Sequence, residues 1–294
     1  SSQPAPLGQT REAFAATAEL SDALSSFLVC ATRHIEMLRH DFKGEADPKP
    51  EPIAAAGDSS ESVLDLIEGI IDASSPGVDQ VVDVVDVVDV VEATGELDRP
   101  RLTPPACMAV CLPPSNQGVW TDDPPNGDDP RWVWGPPPRN KANYAWIMQT
   151  LYLLLDGGVG ILLLSNSPLV SSEGAERDLR ARFARSGALR CVISLPGGLF
   201  ADDRPPASVI VLAKGRPKGA EVLFIDLQDR GETLGVQGGQ AVRRLPASVV
   251  RAALGAYRAW LSGDGYADIP GYSASVDPAR FAECGDLLAP WAYT

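Results

Sequence analysis

A repeat of aspartates is the first feature of this sequence that could do chemistry. Residues 81–91 read Val-Val-Asp three times and end on two further valines, so Asp83, Asp86 and Asp89 could form a row of carboxylates for a hard cation. Such a cation needs several oxygens that converge on one point. A period of three fits neither a helix nor a strand, so the carboxylates would not share one face. We therefore favour a solvated acidic segment and predict no metal site.

Thiols and imidazoles are the next candidates, for metal binding or nucleophilic catalysis. The chain has five cysteines and two histidines: Cys30, Cys107, Cys111, Cys191, Cys284, His34 and His40. Cys107 and Cys111 are four residues apart, but no second Cys or His pair is near enough to suggest zinc. We expect reduced thiols in a cytoplasmic protein, and histidines that serve as ordinary surface or core residues.

The charge is unevenly distributed and limits the partners of the N-terminal half. Residues 1–135 carry a balance of −16 and residues 136–294 a balance of +2, which gives the net charge of −14. An acidic surface repels phosphate backbones within a Debye length, about 8 Å at physiological salt. The N-terminal half is therefore not expected to bind DNA. No apolar run reaches the 18 or more residues of a membrane span, so no membrane partner is expected.

The N-terminal region is predicted to be partly helical and separate from the rest. Apolar residues recur at intervals of three and four over residues 11–42, which indicates helix. Residues 43–60 are polar and proline-containing, which is typical of a linker. We predict a helical N-terminal segment with its linker at 1–60 and one domain at 61–294, beginning with a short helix over 63–71.

The remaining elements indicate an α/β fold. Strands are predicted at 106–111, 159–164, 189–195, 207–213 and 222–227. Helices are predicted at 142–155, ended by Asp156-Gly157-Gly158, from a cap at Ser171 or Ser172 to 186, and at 246–261. This order predicts a mostly parallel sheet with an antiparallel edge.

Several short motifs follow one another within residues 106–294. They are Asp129-Pro130-Arg131-Trp132, Gly135-Pro136-Pro137, Ala142-Asn143-Tyr144-Ala145-Trp146, Leu195-Pro196-Gly197-Gly198-Leu199-Phe200, Pro206-Ala207-Ser208-Val209-Ile210-Val211-Leu212, Val222-Leu223-Phe224-Ile225-Asp226 and Leu287-Leu288-Ala289-Pro290 with Tyr293. In type and order they resemble the motifs of N-6 adenine DNA methylases, specifically the methylase (M) subunits of type I restriction-modification systems. The resemblance implies a Rossmann-like fold that binds S-adenosylmethionine and methylates a flipped-out adenine. It also implies DNA and a specificity or other restriction-modification subunit as partners.

The family's catalytic motif is Asn or Asp, then Pro-Pro and an aromatic residue. The polar side chain and the first proline's carbonyl accept the hydrogens of the adenine amine, and the aromatic ring stacks on the extruded base. Aligned on the downstream motifs, this sequence has at that place Leu112-Pro113-Pro114-Ser115-Asn116, with Trp120 following. Leu112 cannot accept a hydrogen bond and Ser115 cannot stack. The resemblance makes Asn116 and Trp120 candidates for the substrate cleft.

A literal Asp-Pro-Pro occurs a little further on, in Asp123-Pro124-Pro125-Asn126. It has no aromatic residue in fourth place, and it is expected in a loop rather than after a strand. We interpret it mainly as a proline-rich turn, with Asp123 as an alternative catalytic residue.

The cofactor half of the resemblance is weaker. The cofactor requires a glycine-rich turn after the first strand, where the backbone approaches its methionine end. Before residue 113 every glycine is isolated, and no Gly-x-Gly occurs. Gly157-Gly158 and Gly197-Gly198 fit a helix end and a loop. Cofactor-binding residues therefore cannot be named, and S-adenosylmethionine is expected only if the protein is active.

Three functions follow. The first is a degenerate methyltransferase homologue, catalytically impaired and kept as a binding or scaffold module. The second is an active S-adenosylmethionine-dependent DNA adenine methyltransferase, using Asp123 or completed by a partner subunit. The third is a repurposed enzyme that uses the old cleft. A predicted exposed arginine helix (Arg177, Arg180, Arg182, Arg185) could contact phosphate or form ion pairs with Glu173, Glu176 and Asp178.

Overall fold

The computed structural model describes residues 55–74, 106–113, 118–200, 206–237 and 239–294, with side chains of the first segment from Ser62 onward. The predictions for residues 1–54, which include the first helix, and for the aspartate repeat at 81–91 lie outside these residues. In the described part, eight strands and five α-helices follow one another. The strands are β1 Ala106–Cys111, β2 Leu154–Ser165, β3 Leu189–Ser194, β4 Ala207–Ala213, β5 Val222–Asp226, β6 Glu232–Gln237, β7 Gln240–Arg244 and β8 Ser273–Val276. The helices are α1 Ala55–Ser74, α2 Asn143–Leu153, α3 Ser167–Val170, α4 Gly174–Arg185 and α5 Ala247–Ser262.

Six strands form one sheet in the order β1-β2-β4-β3-β5-β8. β1 is parallel to β2 and β3 is parallel to β5, whereas β4 runs antiparallel to both of its neighbours. β8 is antiparallel to β5 and closes one edge of the sheet. The predicted α/β class is confirmed, since four of the six strands described in this sheet run in one direction and an edge is antiparallel. The position of β4 inside the sheet was not predicted.

Helices cover both faces of the sheet, and each face has its own apolar core. On one face α2 and α4 pack against the strands through Trp146, Ile147 and Phe183, all buried. On the other face α1 and α5 pack against the sheet and one another through Leu66, Ile70 and further apolar side chains. Strands covered on both faces are expected to be continuously apolar, and β4 is buried over its whole length.

Helix α1 is longer than the sequence predicted and belongs to the domain. It begins at Ala55, so residues 55–60, which were assigned to the linker, are helical. The hydroxyls of Ser74 and Tyr257 lie 2.8 Å apart and join α1 to α5. Leu245 donates its backbone N–H to Ser62 Oγ at 3.1 Å. These bonds fix the helix against the end of β7 and against α5.

Most other predicted elements are confirmed within one to three residues, and β1 and β4 have the predicted bounds. The predicted helix end at Asp156-Gly157-Gly158 is wrong. Helix α2 ends at Leu153, and these three residues lie within β2, where Gly157 has a φ of +83° and the register against β1 shifts. The glycine permits an irregularity in the strand, which the sequence could not distinguish from a helix cap.

Candidate active site at the carboxyl end of strand β1

The carboxyl ends of β1 and β2 lie side by side, because these strands are parallel. Cys111, the last residue of β1, pairs in register with Leu162, and β2 continues to Ser165. In open α/β sheets ligands bind beyond the carboxyl ends of the strands. Leu112 and Pro113 follow β1 directly, so the structure places the start of the predicted motif at this edge. Pro114, Ser115 and Asn116 lie outside the described residues.

Leu112 takes part in the apolar core rather than presenting a polar group at the edge. Its half-buried side chain packs against the core under α1 and α5, together with Val110 and Leu163. A leucine side chain has no acceptor for an amine hydrogen. The position that the resemblance aligns with the family's Asn or Asp therefore contributes packing of apolar surface.

The neighbouring thiol, that of Cys111, is unreactive at neutral pH. Burial raises the pKa of Cys111 to about 12, and a hydrogen bond with the Thr150 side chain opposes the rise only in part. The thiolate is the form that attacks electrophiles and binds metals. At neutral pH Cys111 is therefore protonated and supplies neither a nucleophile nor a metal ligand.

Polar groups at the ends of the next strands satisfy one another. Ser208 at the start of β4 donates its hydroxyl to Asn166 Oδ1 at 2.6 Å, just beyond β2. Ser194, the last residue of β3, donates to Asp226 Oδ1 at 2.6 Å. Both serines are completely buried. These bonds fix the edge of the sheet, and the sequence analysis did not single out Asn166, although Ser208 lies in a motif that it quoted.

Trp120 lies in the core, with its ring edge-on to that of Trp132. The two ring centroids are 5.7 Å apart, and Trp120 Nε1 donates to the carbonyl of Pro138 at 2.8 Å. Only 8% of Trp120 is exposed. The predicted cleft residue thus contributes to the apolar core.

Asp129 and Arg131 anchor the same segment to helix α2. Arg131 Nη2 is 2.6 Å from Asp129 Oδ2, and its Nη1 donates to Gln149 Oε1 at 2.9 Å. The guanidinium carbon also lies 4.4 Å from the centre of the Trp132 ring. Burial raises the pKa of the Asp129 carboxyl, but hydrogen bonds and the charge of Arg131 outweigh it and lower the pKa. The Asp-Pro-Arg-Trp motif is thus a polar anchor whose arginine and tryptophan are buried.

The alternative motif at Asp123 lies in an exposed loop, as expected. The backbone carbonyl of Asp123 accepts from Thr121 Oγ1 at 3.0 Å. The side chain of Asn126 accepts from the Asp128 N–H at 3.1 Å, and its carbonyl from the Asp129 N–H at 3.2 Å. This loop does not follow a strand. Nothing in the described part of the chain brings Asp123 to the tip of β1, and its catalytic role stays a prediction.

The predicted arginine helix, α4, is only partly exposed. Arg177, Arg182 and Arg185 are exposed, but the prediction that Arg180 is exposed is wrong, because Arg180 is 1% exposed. It donates to the carbonyls of Asp286 at 2.7 Å and Ser171 at 2.6 Å. A helical pattern cannot anticipate that loops from elsewhere cover one charged position.

The ion pairs expected along α4 form differently. Glu173 and Glu176 pair with Lys141, at 2.6 and 3.0 Å. Arg177 lies 3.7 Å from Asp178. The glutamates therefore fix the segment before α2 against α4 instead of neutralising its arginines.

The residues described around this edge do not fit S-adenosylmethionine. β1 has no neighbour on its outer side within the described segments, and the sequence has no Gly-x-Gly before residue 113. The strand and glycine turn that would approach the cofactor's methionine end are therefore missing from the described residues.

Among the described segments no three His, Cys, Asp or Glu side chains are grouped to hold a metal ion, and no helix is long and apolar enough to cross a membrane.

Comparison with known proteins agrees with this fold. The family model described as N-6 DNA Methylase matches residues 92–290. The HindI methylase subunit of a type I restriction enzyme from Haemophilus influenzae is 30% identical over 166 residues, 56% of this chain and 37% of that protein. The corresponding MpnII subunit of Mycoplasma pneumoniae is 30% identical over 89 residues, 30% of this chain and 16% of that protein.

A solved type I restriction-modification methyltransferase subunit from Streptococcus thermophilus superposes with a TM-score of 0.56 at 24% identity. The matched region covers 67% of this chain and 41% of the Streptococcus thermophilus chain. The chain thus spans less than half the length of these relatives. The family match covers more than half of the chain, from before β1 to the 3-10 helix at Pro290–Ala292. The chain therefore belongs to the N-6 DNA methylase family and resembles the methylase subunits of type I restriction enzymes.

Proposed function

We propose that this chain is a catalytically impaired DNA adenine-N6 methyltransferase homologue that acts as a binding or scaffold module. The observation that carries the proposal is Leu112 at the tip of β1, whose side chain packs into the apolar core. Loss of one preorganised hydrogen-bonding partner typically lowers the rate by about 100- to 1,000-fold. Ser115 in place of the aromatic removes base stacking, at a cost of about 1–3 kcal/mol by analogy with single-strand binders.

The scaffold role rests on what remains intact. The sheet and both apolar faces are formed, and the Asp129–Arg131–Gln149 anchor holds the segment after the motif. A stable fold without the chemical groups can still dock other subunits. The names of the relatives place them in type I restriction enzymes, so we propose DNA or a specificity or other subunit of such a system as partners, in the cytoplasm.

A second function is favoured by one specific observation. β1 forms an edge of the sheet in the described part of the chain, and an edge strand presents backbone N–H and C=O groups to which a further strand can pair. A partner carrying the glycine turn could complete the sheet there and bring S-adenosylmethionine. In that case an active methyltransferase would form in the complex, with Asp123 as the alternative acceptor. The third function is a repurposed enzyme. The polar side chains described at the same edge hydrogen-bond one another, Ser194 with Asp226 and Ser208 with Asn166, so they do not favour a different reaction.

A methyl-transfer assay separates these functions. Tritiated S-adenosylmethionine and adenine-containing duplex DNA are supplied to the chain alone and with a specificity subunit, with the Haemophilus influenzae methylase subunit as positive control. We expect no transfer above background in either case. Transfer that Asp123→Ala abolishes, but the neighbouring Asp122→Ala does not, would establish the second function. Transfer that survives both substitutions would contradict the proposed impairment.

A further inference from the structure

A basic groove lies at the opposite end of the sheet from Leu112. It has a volume of about 1,090 Å³ and is bordered by Trp134, by the second half of α4 and by the loop after β4. Val159 near the start of the regular part of β2 pairs with Ala213 at the end of β4, so this loop lies at the amino ends of the parallel strands. From residue 159 to residue 165, β2 spans about 20 Å. The groove is therefore distinct from the candidate active site.

Five cations line the groove against one carboxylate. They are Arg182, Arg185, Lys214, Arg216 and Lys218, and the carboxylate is that of Asp178. Asp178 itself lies beside Arg177, at 3.7 Å. In the described part of the chain Arg185 is the one of the five with a carboxylate partner, Asp286 at 2.5 Å. The groove thus carries a net positive charge in a chain whose net charge is −14.

Backbone carbonyls hold three of the cations in place without neutralising them. Arg182 Nη1 donates to the Trp134 carbonyl at 2.6 Å, and Lys214 Nζ donates to the Leu154 carbonyl at 2.6 Å. Arg216 donates to the carbonyls of Leu189 and Glu221, both at 2.7 Å. Burial, followed by the nearby charge of Arg190, lowers the pKa of Arg216. The positively charged side chains are therefore held close together. A bound anion would reduce the electrostatic repulsion between them.

The shape and the aromatic content decide which anion fits. The groove is open and larger than one phosphate group requires. Trp134 does not offer a free face for stacking on bases, because its ring packs on Phe183 with centroids 4.8 Å apart. Guanidinium groups match phosphate geometry, and a groove of cations without an exposed aromatic ring suits a phosphate backbone better than unstacked bases. These features favour duplex over single-stranded nucleic acid.

We propose that the groove at Arg182, Lys214, Arg216 and Lys218 binds the phosphate backbone of duplex DNA without sequence preference. It would hold a DNA segment away from the family's catalytic edge. The proposal does not depend on whether methyl transfer has been lost, since none of these residues lies near Leu112. Acidic polypeptide is the competing ligand, and the experiment distinguishes the two.

The test measures fluorescence anisotropy of a labelled mixed-sequence duplex at several salt concentrations. The test variant is Lys218→Glu, because Lys218 is exposed and has no hydrogen bond or ion pair to the described residues. The control is Arg251→Glu, an equal change of charge at an exposed position of α5 outside the groove. Melting temperatures establish that both variants are folded.

Each lost phosphate contact reduces the slope of log affinity against log salt by about 0.9. We expect Lys218→Glu to reduce the slope by about one and to weaken binding at low salt at least about threefold. Arg251→Glu should have a clearly smaller effect. Equal effects of the two substitutions, or no duplex binding at 50 mM salt, would overturn the proposal. So would a poly-glutamate peptide that displaces the duplex and itself loses affinity in Lys218→Glu.

Discussion

Arg131, which is buried, and Asp129, which is partly exposed, form an ion pair that fixes the segment between the β1 tip and helix α2. The Nη2–Oδ2 distance is 2.6 Å, Arg131 Nε lies 3.0 Å from both carboxylate oxygens, and Arg131 Nη1 reaches Gln149. Only Pro130 separates the pair in sequence, so the turn between them forms one compact anchor. The resemblance pointed to this motif, and the structure assigns it a positioning role.

Arg131→Met should destabilise the protein strongly. The substitution leaves the buried Gln149 amide and the partly exposed Asp129 carboxylate without their partner, and loss of one member of an ion pair costs up to about 3–5 kcal/mol where the pair is fully buried. Chemical denaturation measures the change in the free energy of unfolding. The control Arg139→Met changes an exposed arginine of the same segment and should cost less than about 0.5 kcal/mol. Equal losses of unfolding free energy in the two variants would show that the Asp129–Arg131–Gln149 contacts do not stabilise the fold.

The same pair predicts a dependence of stability on pH. The pKa of Asp129 is lower in the folded state, so its contribution is complete above the unfolded value of about 3.9 and is lost as the pH falls through the folded value. Asp129→Asn should therefore be less stable than the wild type at pH 7, with a difference that shrinks below about pH 4.

Urea denaturation between neutral and acidic pH measures this difference. Asp128→Asn, an exposed neighbour, is the control and should show no comparable convergence. A difference between wild type and Asp129→Asn that stays constant across the acidic range would contradict the pairing.

Cys111 should resist alkylation in the folded protein. With its pKa raised to about 12 by burial, the thiolate fraction at pH 8 is very small. Iodoacetamide labelling followed by peptide mass spectrometry should modify Cys111 only after denaturation, with the denatured chain as reference. Labelling of native Cys111 at the denatured rate would show that the thiol at the β1 tip is accessible and reactive.

Gly198→Ala should be more costly than Gly219→Ala. Both glycines have a φ near +80°, where an alanine side chain is strained by about 1–3 kcal/mol. At Gly219 an added Cβ meets nothing within 4 Å, whereas at Gly198 it collides with the carbonyl oxygen of Ala241 in β7. Gly198 also accepts the Arg243 N–H at 2.7 Å, so its displacement disturbs the β6–β7 hairpin.

Thermal melts of the two glycine variants measure the difference. We expect Gly219→Ala to lose about 1 kcal/mol and Gly198→Ala at least about 1 kcal/mol more. Equal losses would mean that the hairpin moves aside at no cost, and that the contact with β7 does not restrict this loop.

The sequence predicts the central strands well because they are covered on both faces. β4 is apolar apart from Ser208 and is bounded by turn residues, and its bounds are those predicted. The hairpin β6–β7 was not predicted. Glu232–Gln237 contains Gly235 and is largely exposed, so its alternation of apolar and polar residues is weak. The direction of β4 depends on long-range pairing, which no local pattern encodes.

The sequence predicted that Leu112 follows a strand, but it did not predict the contacts of its side chain. Alignment on downstream motifs placed Leu112 after a strand, and the structure puts it at the carboxyl end of β1. That its side chain joins the core under α1 and α5 depends on helices far away in sequence. The burial of Arg180 also depends on residues outside its helix, since its guanidinium donates to the carbonyls of Ser171 and Asp286.

Isothermal titration calorimetry with S-adenosylmethionine tests most directly whether this chain has lost methyltransferase chemistry. The chain is titrated alone, with the Haemophilus influenzae methylase subunit as positive control. We predict no saturable heat of binding, because no glycine turn precedes β1 in the sequence and an apolar Leu112 occupies its tip. Binding at one site with a micromolar dissociation constant would contradict this account.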